Sequence, residues 1–242
     1  MLRKRIGVMV PSTNTTLEAD FQLIAPPTVT IHGQRLWLTN EANGDAAYER
    51  MNGEIESGAR YLATARVDVV AYGCTTGSFY RGWGWGPGDA GDPAGGRRCA
   101  GRGHESGGRR GLAHVRRAAP LRGDSLSGVE QSAAPAVLRG NGFRGAHLDG
   151  EPIAAASGNQ GINDQEPESV VEFATRMCRP QADALLCSCT AWRALEAVDP
   201  IEQKLGKPVV TSNQATIWAA FRAIGVDPRI RGYGRLLERL SG

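Results

Sequence analysis

Over the first 80 residues, apolar and polar positions alternate in blocks of strand and helix length. Arg5 to Val10 predicts a short strand, and the polar turn Pro11-Ser12-Thr13-Asn14-Thr15-Thr16 supplies caps for a helix running to about Ile24. Thr28 to Leu38, rich in β-branched and apolar residues, predicts a second strand. Ala46 to Arg66 has helical apolar spacing, and Val67 to Tyr72 is a nearly all-apolar run of strand length. This β-α-β order predicts a buried parallel sheet. The pattern returns after about residue 140. Glu166-Pro167 opens a helix to about Cys178, Ala184 to Cys189 reads as a buried strand and Ala191 to Leu205 as mostly helical; Pro208 to Val210 is a short strand and Gln214 to Ile224 a helix. Two similar halves result, each with a strand that runs into Cys-Thr: Cys74-Thr75 and Cys189-Thr190.

Between the halves this periodicity stops. From Gly86 to Arg117, 17 of 32 residues are Gly or Arg, a composition that buries too little surface to offset its ordering entropy. The same stretch explains the net charge of +3: residues 86–138 hold eight Arg against five Asp and Glu, whereas the rest of the chain is balanced. A basic face spread over the chain is therefore absent, and with no aromatic residue between Trp85 and Phe143 a Gly/Arg nucleic-acid binder is disfavoured. No apolar run approaches the ~18 residues of a membrane span. The short run Ile6 to Val10 after Arg3, Lys4 and Arg5 reads as a strand and not a signal peptide. Five cysteines at irregular spacing point to reduced thiols in the cytoplasm.

Cysteine suits chemistry next to a carboxylate, because a thiolate both attacks electron-poor alkenes and exchanges protons with carbon acids. A thiol pKa of ~8.5 falls to roughly 3.5–7.5 at a helix N-terminus. Cys74 and Cys189 each follow a strand and are expected to precede a helix, one on each side of a cleft, so that one attacks while the other gives or takes a proton. Cys187 is assigned to the core, on the opposite side of its strand from Cys189, and Cys178 to helix packing. A zinc site at Cys187-x-Cys189 lacks a second ligand pair, and His32 and His147 read as structural. Asn14 and the hydroxyls and amides of Thr75, Thr76 and Thr190 are candidates to bind a carboxylate or developing oxyanion, with helix capping as the competing role. No metal or organic cofactor is expected, since neither a ligand cluster nor a phosphate-binding Gly motif stands at a strand-helix junction.

Three segments carry a family resemblance: Pro11 to Thr16, Tyr72-Gly73-Cys74-Thr75-Thr76-Gly77-Ser78-Phe79-Tyr80-Arg81, and Ser188-Cys189-Thr190-Ala191-Trp192. With the tail from Pro208 to Asn213 and Gly232 to Leu236, they resemble the maleate cis-trans isomerase and arylmalonate decarboxylase branch of the aspartate/glutamate racemase superfamily. The resemblance covers about residues 1–85 and 139–242. It implies an α/β fold of two pseudo-symmetric doubly wound parallel-sheet halves. Residues 1–85 plus 206–242 would form the first half and 86–205 the second, with 86–138 irregular. It further implies cofactor-independent isomerisation of a small dicarboxylate by Cys74 and Cys189, and adds Asn163 as a substrate-binding candidate. An amino-acid or hydantoin racemase using the same thiols is the alternative. An arylmalonate decarboxylase fits less well, because that enzyme keeps only the second-half cysteine. The partner is then a small carboxylate, with no nucleic acid and no membrane, and homo-oligomerisation stays open.

The resemblance also gives residues 86–138 a specific reading, as a segment translated out of frame. Residues 86–92 can be encoded GGA CCG GGA GAT GCT GGC GAT, which without its first base reads Asp-Arg-Glu-Met-Leu-Ala, a helix similar to one in the family. Residues 124–130, shifted alike, give Thr-Pro-Tyr-Pro-Glu-Trp-Asn, a family-like strand end. The family's substrate-contacting Tyr would then fall where Leu126 stands. The second half is expected to lack about one helix-strand-helix-strand run.

Overall fold

The computed structural model describes residues 3–40, 44–79, 149–150, 153–227 and 229–238. The expectations for 86–138, including Leu126 and the reading-frame shift, lie outside the described residues, as do His147 and Cys99.

The first half follows the predicted order: β1 (Lys4–Pro11), α1 (Leu17–Ile24), β2 (Val29–Leu36), α2 (Asp45–Gly53), α3 (Ile55–Thr64), β3 (Val69–Tyr72) and α4 (Thr75–Phe79). The single helix expected over 46–66 is two, divided at Glu54, whose carboxylate accepts the Trp37 N–H at 2.8 Å. The second half comprises α5 (Ile153–Asn163), α6 (Pro167–Met177), β4 (Leu185–Cys187), α7 (Val198–Leu205), β5 (Val209–Thr211), α8 (Ser212–Ala223) and α9 (Arg235–Glu238). Among the described residues β2, β1 and β3 form one parallel sheet in that order and β4 and β5 a second, with Cys187 opposite Thr211. The fold is thus α/β with parallel sheets, as expected. Residues 206–242 do not fall wholly in the first half, because β5 pairs with β4.

Strand alternation sorts the apolar side chains into three cores. Ile6, Val8 and Val10 of β1, Val69 and Ala71 of β3, Leu186 of β4 and Val210 of β5 share a central core with α1 and α8. Phe21 and Phe221 meet there edge to face at 6.4 Å. The opposite face of the first sheet, with Met9, Val70 and Tyr72, is covered by α2 and α3. The opposite face of the second, with Leu185, Cys187 and Val209, is covered by α6 and α7. Five layers result, with the middle helical layer common to both sheets.

Candidate active site

Both thiols stand two residues beyond the end of a parallel strand, Cys74 after β3 and Cys189 after β4. This is the sheet edge at which α/β folds bind their ligands. Gly73 brings the chain close under α1, where a Cβ would displace the buried Leu17 side chain. The turn then enters α4, and the Gly77 N–H donates to Cys74 Sγ at 3.3 Å. A donor on sulfur holds it in place and favours negative charge on it. Ser78 closes the turn, its N–H and Oγ both donating to the Cys74 carbonyl, at 3.0 and 2.8 Å.

Cys189 has different surroundings. The helix expected from Ala191 begins only at Val198, and residues 190–197 form an irregular turn. Pro200 has no N–H to bond back to residue 196, so the helix begins just before it, where proline is tolerated. The turn is held from outside. Thr16 Oγ1 donates to the Ala191 carbonyl at 2.8 Å, and the Trp192 indole N–H donates to Gln165 Oε1 at 3.0 Å. The Trp192 ring packs edge to face on Phe173 at 6.1 Å. Cys189 is half-buried, whereas Cys74 is buried.

The sidedness expected of Cys187 is corrected. Residues two apart along a strand share a face, and Cys187 and Cys189 both touch the outer core of the second sheet. Cys187 is buried there all the same, 2% exposed. Cys178 ends α6, and burial pushes its thiol up, against the opposing pull of Lys207.

One hydroxyl joins the two halves between the thiols. Thr190 Oγ1 accepts from Asn14 Nδ2 at 3.1 Å and donates to the Gly73 carbonyl at 3.0 Å, so the residue after Cys189 is bonded to the residue before Cys74. Asn14 also caps α1, its Oδ1 accepting from the N–H groups of Thr16 and Leu17 at 2.9 and 3.0 Å. Of the two roles weighed for Asn14, these contacts are of the capping kind. Thr75 Oγ1 lies 3.3 Å from Ser212 Oγ at the start of α8, and Thr76 is buried in the same turn. Asn163 is turned to the loop after β1. Its Oδ1 accepts the Thr15 N–H at 3.0 Å and lies 3.2 Å from Thr16 Oγ1, and its Nδ2 donates to the carbonyls of Thr13 and Asn159 at 3.1 and 2.9 Å. Those contacts engage both of its amide protons and its carbonyl oxygen.

Two residues of this network went unread in the sequence. Asn213 Nδ2 donates to the Thr190 carbonyl at 3.1 Å and to Asp20 Oδ2 at 2.6 Å. Burial pushes the Asp20 carboxyl up to about 7, against the Asn213 hydrogen bond. Asp20 did carry a signal, for its spacing from Leu17, Phe21 and Ile24 puts a carboxylate on the apolar stripe of α1.

A sequence profile of the arylmalonate decarboxylase family matches residues 132–237. The maleate isomerase of Pseudomonas putida is 25% identical over 270 aligned positions, covering 97% of each chain. Among solved structures, the maleate isomerase Iso from Pseudomonas putida superposes with a TM-score of 0.81 at 22% identity, over 98% of each chain. A Nocardia farcinica maleate cis-trans isomerase mutant with a covalently bound succinylcysteine intermediate has a TM-score of 0.80 at 20% identity, covering 98% of this chain and 99% of that one.

Proposed function

We propose that this chain, a relative of the maleate isomerases and arylmalonate decarboxylases, is a cofactor-independent cis-trans isomerase of a small dicarboxylate such as maleate. The observation that carries the reading is the pair of thiols at matching strand ends, tied across the halves by Asn14, Thr190 and Gly73. Cys74 is the nucleophile, supported by the amide N–H on its sulfur. Cys189, half-buried and outside any helix, is the proton carrier.

In the reaction the Cys74 thiolate adds to one alkene carbon, and the π electrons move onto the neighbouring carbon and its carboxylate. Cys189 gives its proton to that carbon, leaving a saturated succinyl thioether. Rotation about what is now a single bond brings the carboxylates trans. Cys189 takes a proton back, the double bond re-forms and the Cys74 thiolate leaves. The hydroxyls of Thr75 and Thr76 and the amides of Thr75, Thr76 and Thr190 stabilise the charge that builds on the carboxylate, while the Thr190 hydroxyl stays on the Gly73 carbonyl and Asn14 and Asn163 hold the loop that faces them.

Proton NMR of the purified chain with maleate tests this reading, with the fumarate vinyl signal as the expected result. A second reading follows from the arylmalonate decarboxylase profile over residues 132–237. Release of carbon dioxide from an arylmalonate without conversion of maleate would establish it and overturn the first.

A further inference from the structure

The amide that contacts the Cys74 sulfur is itself held from another layer of the fold. Tyr72, the last residue of β3, is 1% exposed and faces α2, away from the central core. Its hydroxyl donates to Asn52 Oδ1 at 2.5 Å, and Asn52 Nδ2 donates to the Gly77 carbonyl at 2.9 Å. Both polar groups of Gly77 are thereby engaged, the N–H on sulfur and the carbonyl on Asn52. Gly77 is also wedged in place: a Cβ on it would lie 2.2 Å from the Tyr72 hydroxyl and 2.9 Å from Met51 Cε. Glycine has the widest backbone freedom of any residue, and α4 is only five residues long. The Ser78 bonds to the Cys74 carbonyl restrain this turn from within, and Asn52 adds a hold on Gly77 from outside α4.

We propose that Asn52, locked by Tyr72, is a positioning residue for Cys74, holding the Gly77 N–H on its sulfur. Asn52 acts on the sulfur through Gly77, by removing its rotational freedom. The first thiol is thus set by the outer layer α2 as well as by its own turn. The inference deepens the reading of Cys74 as the nucleophile and rests on it for its functional meaning.

The test measures thiol reactivity without substrate, on the full chain. Iodoacetamide alkylation of Cys74 and of Cys189 is followed separately by peptide mass from about pH 5 to about pH 10, a range that spans thiol titration. The parent is compared with Asn52→Leu and Tyr72→Phe, and circular dichroism checks that each variant is folded. In Asn52→Leu the midpoint of the Cys74 profile is expected to move upward and its rate at neutral pH to fall about three- to tenfold, the effect of losing one hydrogen bond to an ionised group. Tyr72→Phe is expected to move it the same way by less, with the Cys189 profile unmoved in both.

Coincident Cys74 profiles in parent and folded variants would overturn the proposal, and so would equal shifts at both thiols, which signal general loosening. Tyr72→Phe keeps the ring that fills the core and decides the matter alone if Asn52→Leu does not fold. A shifted Cys74 profile in a chain that converts no maleate sinks the proposed reaction and leaves the positioning role standing. Conversion of maleate with unshifted profiles does the reverse.

Discussion

Replacing Asp20 by Asn asks whether a buried carboxyl sets the pH at which the fold is strongest. Asp20 is 4% exposed, on the face of α1 that meets α8. Its carboxyl is raised from 3.8 to about 7, chiefly by burial; the Asn213 N–H opposes this, and Glu196 and Arg193 contribute with opposite signs. Between those two values the folded state holds a proton that the unfolded state has released. Its contribution is therefore fully present below the unfolded value and is lost as pH rises through about 7. At about 1.4 kcal/mol per pH unit the loss has a ceiling of roughly 4 kcal/mol, of which about 2–3 kcal/mol falls between pH 5 and pH 8.

Asn is isosteric and neutral, and it can still accept from Asn213 at that distance. Urea unfolding of parent and Asp20→Asn at pH 5 and pH 8 gives a stability difference at each pH, in which every other titrating group cancels. The variant is expected to gain on the parent by about 2–3 kcal/mol at the higher pH. A difference independent of pH, or one that grows in favour of the parent, would show that Asp20 is ionised or hydrated in the folded protein and would refute the reasoning.

Cys74→Ala and Cys189→Ala should each abolish conversion of maleate, whereas Cys187→Ala and Cys178→Ala should retain it; full activity in either of the first two removes the two-thiol mechanism. Asn14→Ala loses the cap on α1 and the bond to Thr190 together, and should lower stability by about 1–2 kcal/mol in thermal melts. Asn14→Asp keeps the cap acceptor but not the donor to Thr190, and should recover most of that stability while turnover stays low. Dialysis against a chelator should leave turnover unchanged; loss restored by one added metal would contradict a cofactor-independent reaction. Resequencing the gene across codons 80–142 should reveal a frame lost near Gly86 and regained before Gly140, and an unbroken frame would end that explanation of the Gly/Arg-rich stretch.

The strands and helices of the first half were legible because their apolar periodicity is local. β1, α1 and β3 each carry a clean stripe or run and end in turn residues. The 191–197 turn was not legible for the opposite reason. Its alanines and leucine favour a helix, but Pro200 cannot bond back to residue 196, and Thr16 and Gln165, remote in sequence, hold the Ala191 carbonyl and the Trp192 indole in the turn. The positions of the two thiols could be read from their strand ends, yet their unlike surroundings could not, because the difference lies in Gly77 and Pro200 and not in the cysteines. Asn52 gave no signal at all. A polar residue on a surface helix is ordinary, and only the packing of α2 over Tyr72 gives it a task. Asn163, a substrate-binding candidate by resemblance, makes contacts with the loop of the opposite half and with Asn159 of its own helix, and those long-range partners left no mark in the local sequence.

The middle layer of α1 and α8 constrains how such a chain can be inherited. Residues of both sheets share one core cluster with these two helices, and α8, which follows β5 in the chain, packs against β3 as well as β5. Swapping one sheet for a distant relative's would therefore leave a mismatched surface on helices that stay behind. Chimeras cut between the sheets should fail even where each parent is stable. The outer pairs, α2 with α3 and α6 with α7, each cover a single sheet. They are the parts that recombination can exchange and drift can rewrite, so a lineage with this fold can vary at its flanks while its two halves are obliged to change in step.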